Sequence, residues 1–307
     1  MFLKEWRRLL RASSTPWALA VYVVVPAVVA ALYLKTAYRN PAGLMAQMVP
    51  LMGAQALSNV GAWQILLLAV WAPWLSAGML AGEVEERTLD PFLAGGGRLF
   101  SAVFGKLAAV LSFFGLVIAA GLPAFALPML IGGINWGLMG RVAALEGATV
   151  LLMAGLGLAL SGFSRRSGSV VLAGVALGLA LTLGTALAGS VLAPAGPDFR
   201  TMPVPPPGIV FDQSPAAAQP KWLLANPLVG LTSALDSPVP TLLQLRGNWT
   251  GPIYREFRLW QLQLAGAGAA AMLSAVVAWL AMTVRLRWRR PLWLFKWRRR
   301  KAVAMSG

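Results

Sequence analysis

The chain has 307 residues, of which 58% are hydrophobic and only 12% charged, and its formal net charge is +16. Charge at about half the level of a soluble domain, set between long uncharged runs, indicates an integral membrane protein with little chain left for a separate soluble domain. The absence of Cys and His excludes disulfides, thiol nucleophiles, imidazole bases and the usual zinc, haem and copper ligands. The basic residues cluster at the ends of apolar runs, a placement that orients a membrane protein rather than binding nucleic acid.

Residues 1–14, MFLKEWRRLLRASS, open the chain. Phe2, Leu3, Trp6, Leu9 and Leu10 recur at helical spacing, and Lys4, Arg7, Arg8 and Arg11 take the other face. This predicts a basic amphipathic helix in the inner headgroup layer, with Phe2, Trp6, Arg7, Arg8, Leu9 and Leu10 as its interfacial residues. A plain orienting charge cluster is the simpler alternative.

Six apolar runs follow, at 17–34, 62–81, 107–130, 142–163, 170–192 and 262–284. Each is long enough as a helix to cross ~30 Å of hydrocarbon. The first resembles a signal peptide in its basic start and its AVVAA stretch, but it is long for such a segment and is read as a retained span. Most of the 26 Lys and Arg residues fall in the segments that share a side with the N-terminus. The positive-inside rule then places both termini, the connector 82–106 and the basic tail 285–307 in the cytoplasm. The loop 193–259 lies on the outside. It contains the irregular, Pro-rich PVPPPG stretch and the apolar segment KWLLANPLVGLTSALDS, residues 221–237. That segment predicts a short outer helix or re-entrant turn near Asn226-Pro227.

Within the six runs the one charge is Glu146. It reads either as a partner of Arg141 near a helix start or as an intramembrane polar site for substrate or a proton. Trp63, Trp71 and Trp74 fall within ~80° on the second run. Trp63 suits an aromatic belt, whereas Trp71 and Trp74 flank Pro73 and, with Glu146, form a candidate translocation path. Packing or lipid contact is the plainer reading of the tryptophans. Gly155, Gly157, Gly174, Gly178 and the stretch Ala265–Ala271 mark surfaces for close helix packing, within one subunit or between two. No metal-ligand set is visible. Gly105-Lys106 is followed by Leu107 and preceded five residues back by Phe100, so the phosphate-binding loop G-x-x-x-x-G-K-[ST] is absent and ATP chemistry must come from another chain.

Four of the ten acidic residues, Glu83, Glu85, Glu86 and Asp90, stand at the start of the connector GEVEERTLDPFLAGGGRLFSAVFGK. With Thr88, Leu89 and Asp90 as a Thr-Leu-acid step, a break at Ala94–Gly97, then Arg98 and Gly105-Lys106, it resembles the cytoplasmic connector of the type 2 ABC transporter permease family. It departs from that pattern at Arg87, at the AGGG break and at Pro91. The resemblance implies an all-α integral membrane protein with six transmembrane helices, an N-terminal interfacial helix and outer helical or re-entrant material between helices 5 and 6.

It further implies an exporter of the bacterial-type inner membrane. A second permease subunit, identical or different, would complete the pathway, and two ABC ATPase subunits would supply ATP and Mg²⁺ chemistry. Glu83, Glu85, Glu86, Arg87, Thr88, Leu89 and Asp90 would couple to the ATPase, and Arg165 and Arg166 would form a lesser contact. A non-transporting membrane anchor of an ATPase and a lipid-modifying membrane enzyme are the alternatives. Nearly uncharged spans favour an amphipathic or lipid-like cargo.

Overall fold

A computed structural model describes residues 2–39, 49–86, 88–89, 98–131, 134–164, 166–192, 225–235, 252–254 and 257–304. Helix α1 covers Phe2–Arg11, α2 Ser14–Arg39 and α3 Val49–Glu85. Helix α4, Leu99–Gly121, continues through a 3₁₀ turn at Leu122–Phe125 into α5, Ala126–Ile131. Helix α6 spans Trp136–Phe163. The next span is α7, Ser167–Leu179, a π-helical turn at Ala180–Gly184, and α8, Thr185–Leu192. Helix α9 is Pro227–Leu235, and α10 runs from Leu259 to Ala304. An antiparallel ribbon of β1, Pro252–Tyr254, and β2, Phe257–Arg258, leads into α10. It adds a small strand element to an otherwise helical protein.

Six helical segments are long and apolar enough to cross a membrane: Thr15–Lys35, Gly53–Glu85, Leu99–Leu130, Trp136–Phe163, Ser167–Gly189 and Leu259–Arg285. Each contains most of one apolar run. Both helices flanking the connector extend into it, so the stretch between them narrows to residues 86–98 and Gly105-Lys106 belong to α4.

Helices α3 and α6 form the centre. Helix α3 packs on α2, α4, α6, α7 and α9, and α6 packs on α10 as well. The peripheral helices show the resulting two-sidedness. On α2, Tyr22, Pro26 and Ala30 turn inward, while Trp17, Val21, Val24, Val28 and Leu32 are exposed in a stripe. In a bilayer such a stripe meets lipid and costs nothing, so tight helix contact depends on small residues rather than on apolar burial.

Pro73 shows how one residue sets such a contact. It has no N–H, so the carbonyl of Ala69, four residues back, loses its usual helical donor. That carbonyl lies against Gly178 of α7, where any Cβ would overlap it, and a Cβ at Gly174 would stand 3.3 Å from the Pro73 oxygen. Gly155 of α6 meets Ala271 of α10, and Gly157 meets Ser76 and Pro73 of α3. Gly155, Gly157, Gly174 and Gly178 thus seat helices within a single subunit.

Candidate functional site: the connector end of the bundle

The connector start, the connector finish and the interfacial helix converge on one lysine. Lys106 Nζ lies 2.9 Å from Glu83 Oε1 and 3.2 Å from Glu5 Oε1, and its side chain is fully buried. Glu83 lies in the last turn of α3, Lys106 in the second turn of α4, and Glu5 belongs to α1. Glu83 therefore points inward, toward the lysine, rather than onto an open acidic face. Glu5 Oε2 and Glu83 Oε2 are buried with no hydrogen-bond partner. Leu9, Leu89, Val103 and Leu107 are buried in the same apolar cluster, with Trp6, Val84, Leu99 and Phe104 packed beside them.

Two residues beyond Glu83 the chemistry changes. Glu85 is exposed, and its Oε2 accepts from the Ser167 backbone N–H at 2.9 Å and from the Ser167 hydroxyl at 2.6 Å. Ser167 is the first residue of α7, so a carboxylate caps that helix where its dipole favours negative charge. Arg166 is exposed. Arg285 of α10 reaches the same place and donates to the Ser164 carbonyl at 2.9 Å. Glu86 and Thr88 are exposed, whereas Leu89 is buried against the spans. The Thr88 backbone N–H donates to the Glu83 carbonyl at 3.0 Å, turning the chain out of α3. Arg87, Asp90 and Arg165 lie outside the described residues.

Helix α1 has three faces. Glu5 and Leu9 are buried against the protein, Phe2, Leu3 and Leu10 are exposed and apolar, and Lys4, Arg7, Arg8 and Arg11 line an open groove with Leu3. Trp6 stacks on Phe2 with ring centroids 6.3 Å apart. The Thr15 hydroxyl donates to the Leu9 carbonyl at 2.5 Å, folding α1 back onto the start of α2.

Inside the bundle, Glu146 is completely buried and accepts from the Tyr22 hydroxyl at 3.1 Å. The Tyr22 ring lies 6.4 Å from that of Trp71. Gln64 Nε2 donates to the Gly121 carbonyl at 3.4 Å. A Cβ at Gly121 would stand 2.5 Å from the Tyr22 ring and 2.7 Å from Gln64 Nε2, so one glycine admits both side chains. Glu146 Oε1 and Gln64 Oε1 have no hydrogen-bond partner. Arg141 donates to the Ala234 carbonyl at 3.3 Å, with its guanidinium 5.8 Å from the Trp260 ring. Trp74 turns to the exposed surface, 45% accessible. The predicted path residues thus divide between Glu146 and Trp71 inside and Trp74 outside.

Residues 1–295 match the family model of the ABC-2 family transporter proteins. The chain belongs to that family. No curated protein matches it. As an ABC-2 family protein it is a multi-pass membrane subunit of an ABC transporter, the transport component rather than a catalyst, and it works with an ABC ATPase. Among the described residues no cluster of three metal-ligating side chains occurs.

At the end opposite the connector, this ABC-2 protein buries every residue of α9. Asn226 joins that helix to its neighbours. Its Oδ1 accepts the Leu228 N–H at 2.8 Å, and its Nδ2 donates to the Thr182 carbonyl at 2.9 Å and to Thr185 Oγ1 at 2.7 Å. Gln263 Nε2 of α10 donates to the Asn226 carbonyl at 2.9 Å. Thr182 belongs to the π turn, a geometry that disturbs the usual carbonyl pairing. Sequence reasoning placed the helix near Asn226 but gave no sign of the π turn, nor of Glu5, Tyr22, Gln64 and Ser167 as partners.

Proposed function

We propose that this protein is the membrane-spanning half of an ABC exporter that pairs with a second permease subunit and converts ATP-driven closure of its ATPase partners into cargo movement. The observation that carries the coupling assignment is the meeting of the connector ends, α1 and the residues Ser164, Arg166 and Ser167 at one end of the bundle, with Glu85, Glu86 and Arg166 exposed there. By charge distribution this end and both termini face the cytoplasm of a bacterial-type inner membrane. Two ATPase subunits, carrying ATP and Mg²⁺, dock there. Exposed carboxylates offer partner Arg or Lys residues charge-assisted contacts, while buried Leu89 and Glu83 carry motion into the spans. Arg87, Asp90 and Arg165 belong to the same docking surface by their place in the sequence.

The exported cargo is amphipathic. It passes the polar spot made by Glu146 and Tyr22 beside Trp71, with Trp74 at the lipid edge. Helix α1 rests in the headgroup layer, with exposed Phe2 and Leu10 toward lipid, Arg7 and Arg8 toward the headgroups, and Leu9 and Trp6 packed on the protein.

Glu86→Lys in the permease, with the ATPase titrated onto it in lipid nanodiscs, tests the docking surface. An exposed ion pair is worth up to ~1 kcal/mol and reversal adds repulsion of similar size. Affinity should fall about 5- to 30-fold, and the fall should shrink as salt rises. An unchanged affinity at low salt removes Glu86 from the interface and, with it, the acidic docking face.

A further inference from the structure

The geometry points to Lys106 as a positioning residue that fastens both ends of the connector and the interfacial helix α1 into one body, which moves as a unit against α7. The inference rests on the connector being the ATPase-coupling segment. Three helices, α1, α3 and α4, each contribute one charged group to the cluster. The Lys106 side chain has no solvent exposure and those of Glu5 and Glu83 almost none, so water cannot replace a partner that moves away. Removing one member of such a buried set strands the charge left behind, which is far costlier than losing an exposed pair. Leu9, Leu89 and Val103 pack apolar contacts around the ions, so the same three segments are joined by two kinds of force.

Farther along the bundle α3 and α7 pack through Ala77, Ala81 and Val170, but at the connector end itself the link to α7 is of another kind. Glu85 meets Ser167 in the open, where water competes for every hydrogen bond and can take over a broken one. Displacement of the connector therefore carries α1 with it and yields at Glu85–Ser167. Lys106 sets what moves together, and Glu85–Ser167 marks where it slips.

The chain contains no Cys, so introduced cysteine pairs can be spin-labelled without background. One pair, Leu10→Cys with Arg98→Cys, lies inside the unit. The other, Arg98→Cys with Gly168→Cys, crosses the slip line. Both are measured by pulsed electron resonance on the full chain in lipid nanodiscs, without the ATPase and then with it in nucleotide-free and ATP-trapped states. We expect the Leu10–Arg98 distribution to stay narrow in every state. The Arg98–Gly168 distance should shift on ATP trapping by on the order of a few ångströms, as in helix displacements elsewhere.

Lys106→Met should broaden the Leu10–Arg98 distribution, and Lys106→Arg should restore it, a rescue that a side chain serving only as filler does not predict. Where Lys106→Met fails to fold, Glu5→Ala cuts the α1 arm alone and carries the same expectation. A narrow Leu10–Arg98 distribution in the folded Lys106→Met or Glu5→Ala protein overturns the inference. So does a Leu10–Arg98 shift in the unaltered protein as large as that of Arg98–Gly168. Failure of the ATPase to bind at all defeats the coupling assignment instead, and the ATPase-free comparison still decides whether Lys106 fastens α1.

Discussion

Gly155 on α6 gives the sharpest test of how the bundle is held together. A Cβ there would lie 2.8 Å from Ala271 Cα and 3.2 Å from Ala271 Cβ of α10. Carbon atoms in contact prefer about 3.5–4.0 Å. Gly155→Ala therefore has to push the α6 and α10 backbones apart by roughly 0.7 Å or more, since the nearest atom is main chain and cannot swing aside. Overpacking of this kind costs about 1–3 kcal/mol, which is roughly a 5- to 150-fold fall in the ratio of folded to unfolded protein.

Gly115 on α4 is the control. Nothing stands within 4 Å of a Cβ built there, so Gly115→Ala should stabilise the helix by up to ~1 kcal/mol through propensity alone. The assay is equilibrium unfolding of the purified chain by increasing SDS in mixed micelles, followed by Trp fluorescence. The two substitutions should move the midpoint in opposite directions. Equal shifts, or a Gly155→Ala midpoint that does not fall, would refute the close α6–α10 seat.

Tyr22→Phe should destabilise the same preparation by about 1–3 kcal/mol, because it strips the buried Glu146 carboxyl of the Tyr22 donor. In a Glu146→Leu background the same change should cost much less, and additivity of the two in a double-mutant cycle counts against the contact. At the connector, Glu85→Ala should leave the Ser167 amide without its acceptor and speed its hydrogen exchange. An unchanged exchange rate argues against the two hydrogen bonds.

The spans were legible because twenty-odd uncharged residues in a row have few other fates. The short helix at Asn226 was legible from its apolar run and its Asn-Pro start. What could not be read were the partners of polar residues, because these are chosen across the fold. Arg141 stands five residues before Glu146 in sequence, yet five residues along a helix is about 140° round its axis. The arginine reaches Ala234 and Trp260, and Glu146 meets Tyr22 from the first span. Glu5 was hidden at the border between the two faces of α1, where a lone acid among basic residues looks incidental. Lys106, at the edge of an apolar run, resembled an ordinary topological anchor. Its burial is tolerable only because two carboxylates come to it, one of them 101 positions away in the chain. The π turn at Ala180–Gly184 leaves no mark in composition and shows itself only through the carbonyl that Asn226 takes up.

That same asparagine fixes how the far end of the bundle can behave. One side chain and its own carbonyl grip the fifth span, the sixth span and the first turn of α9 together. Helix α9 is thus no free flap over the bundle's mouth. It is geared to both spans, like a stopper wired at two points of the neck, and drawing it away from either one breaks a hydrogen bond.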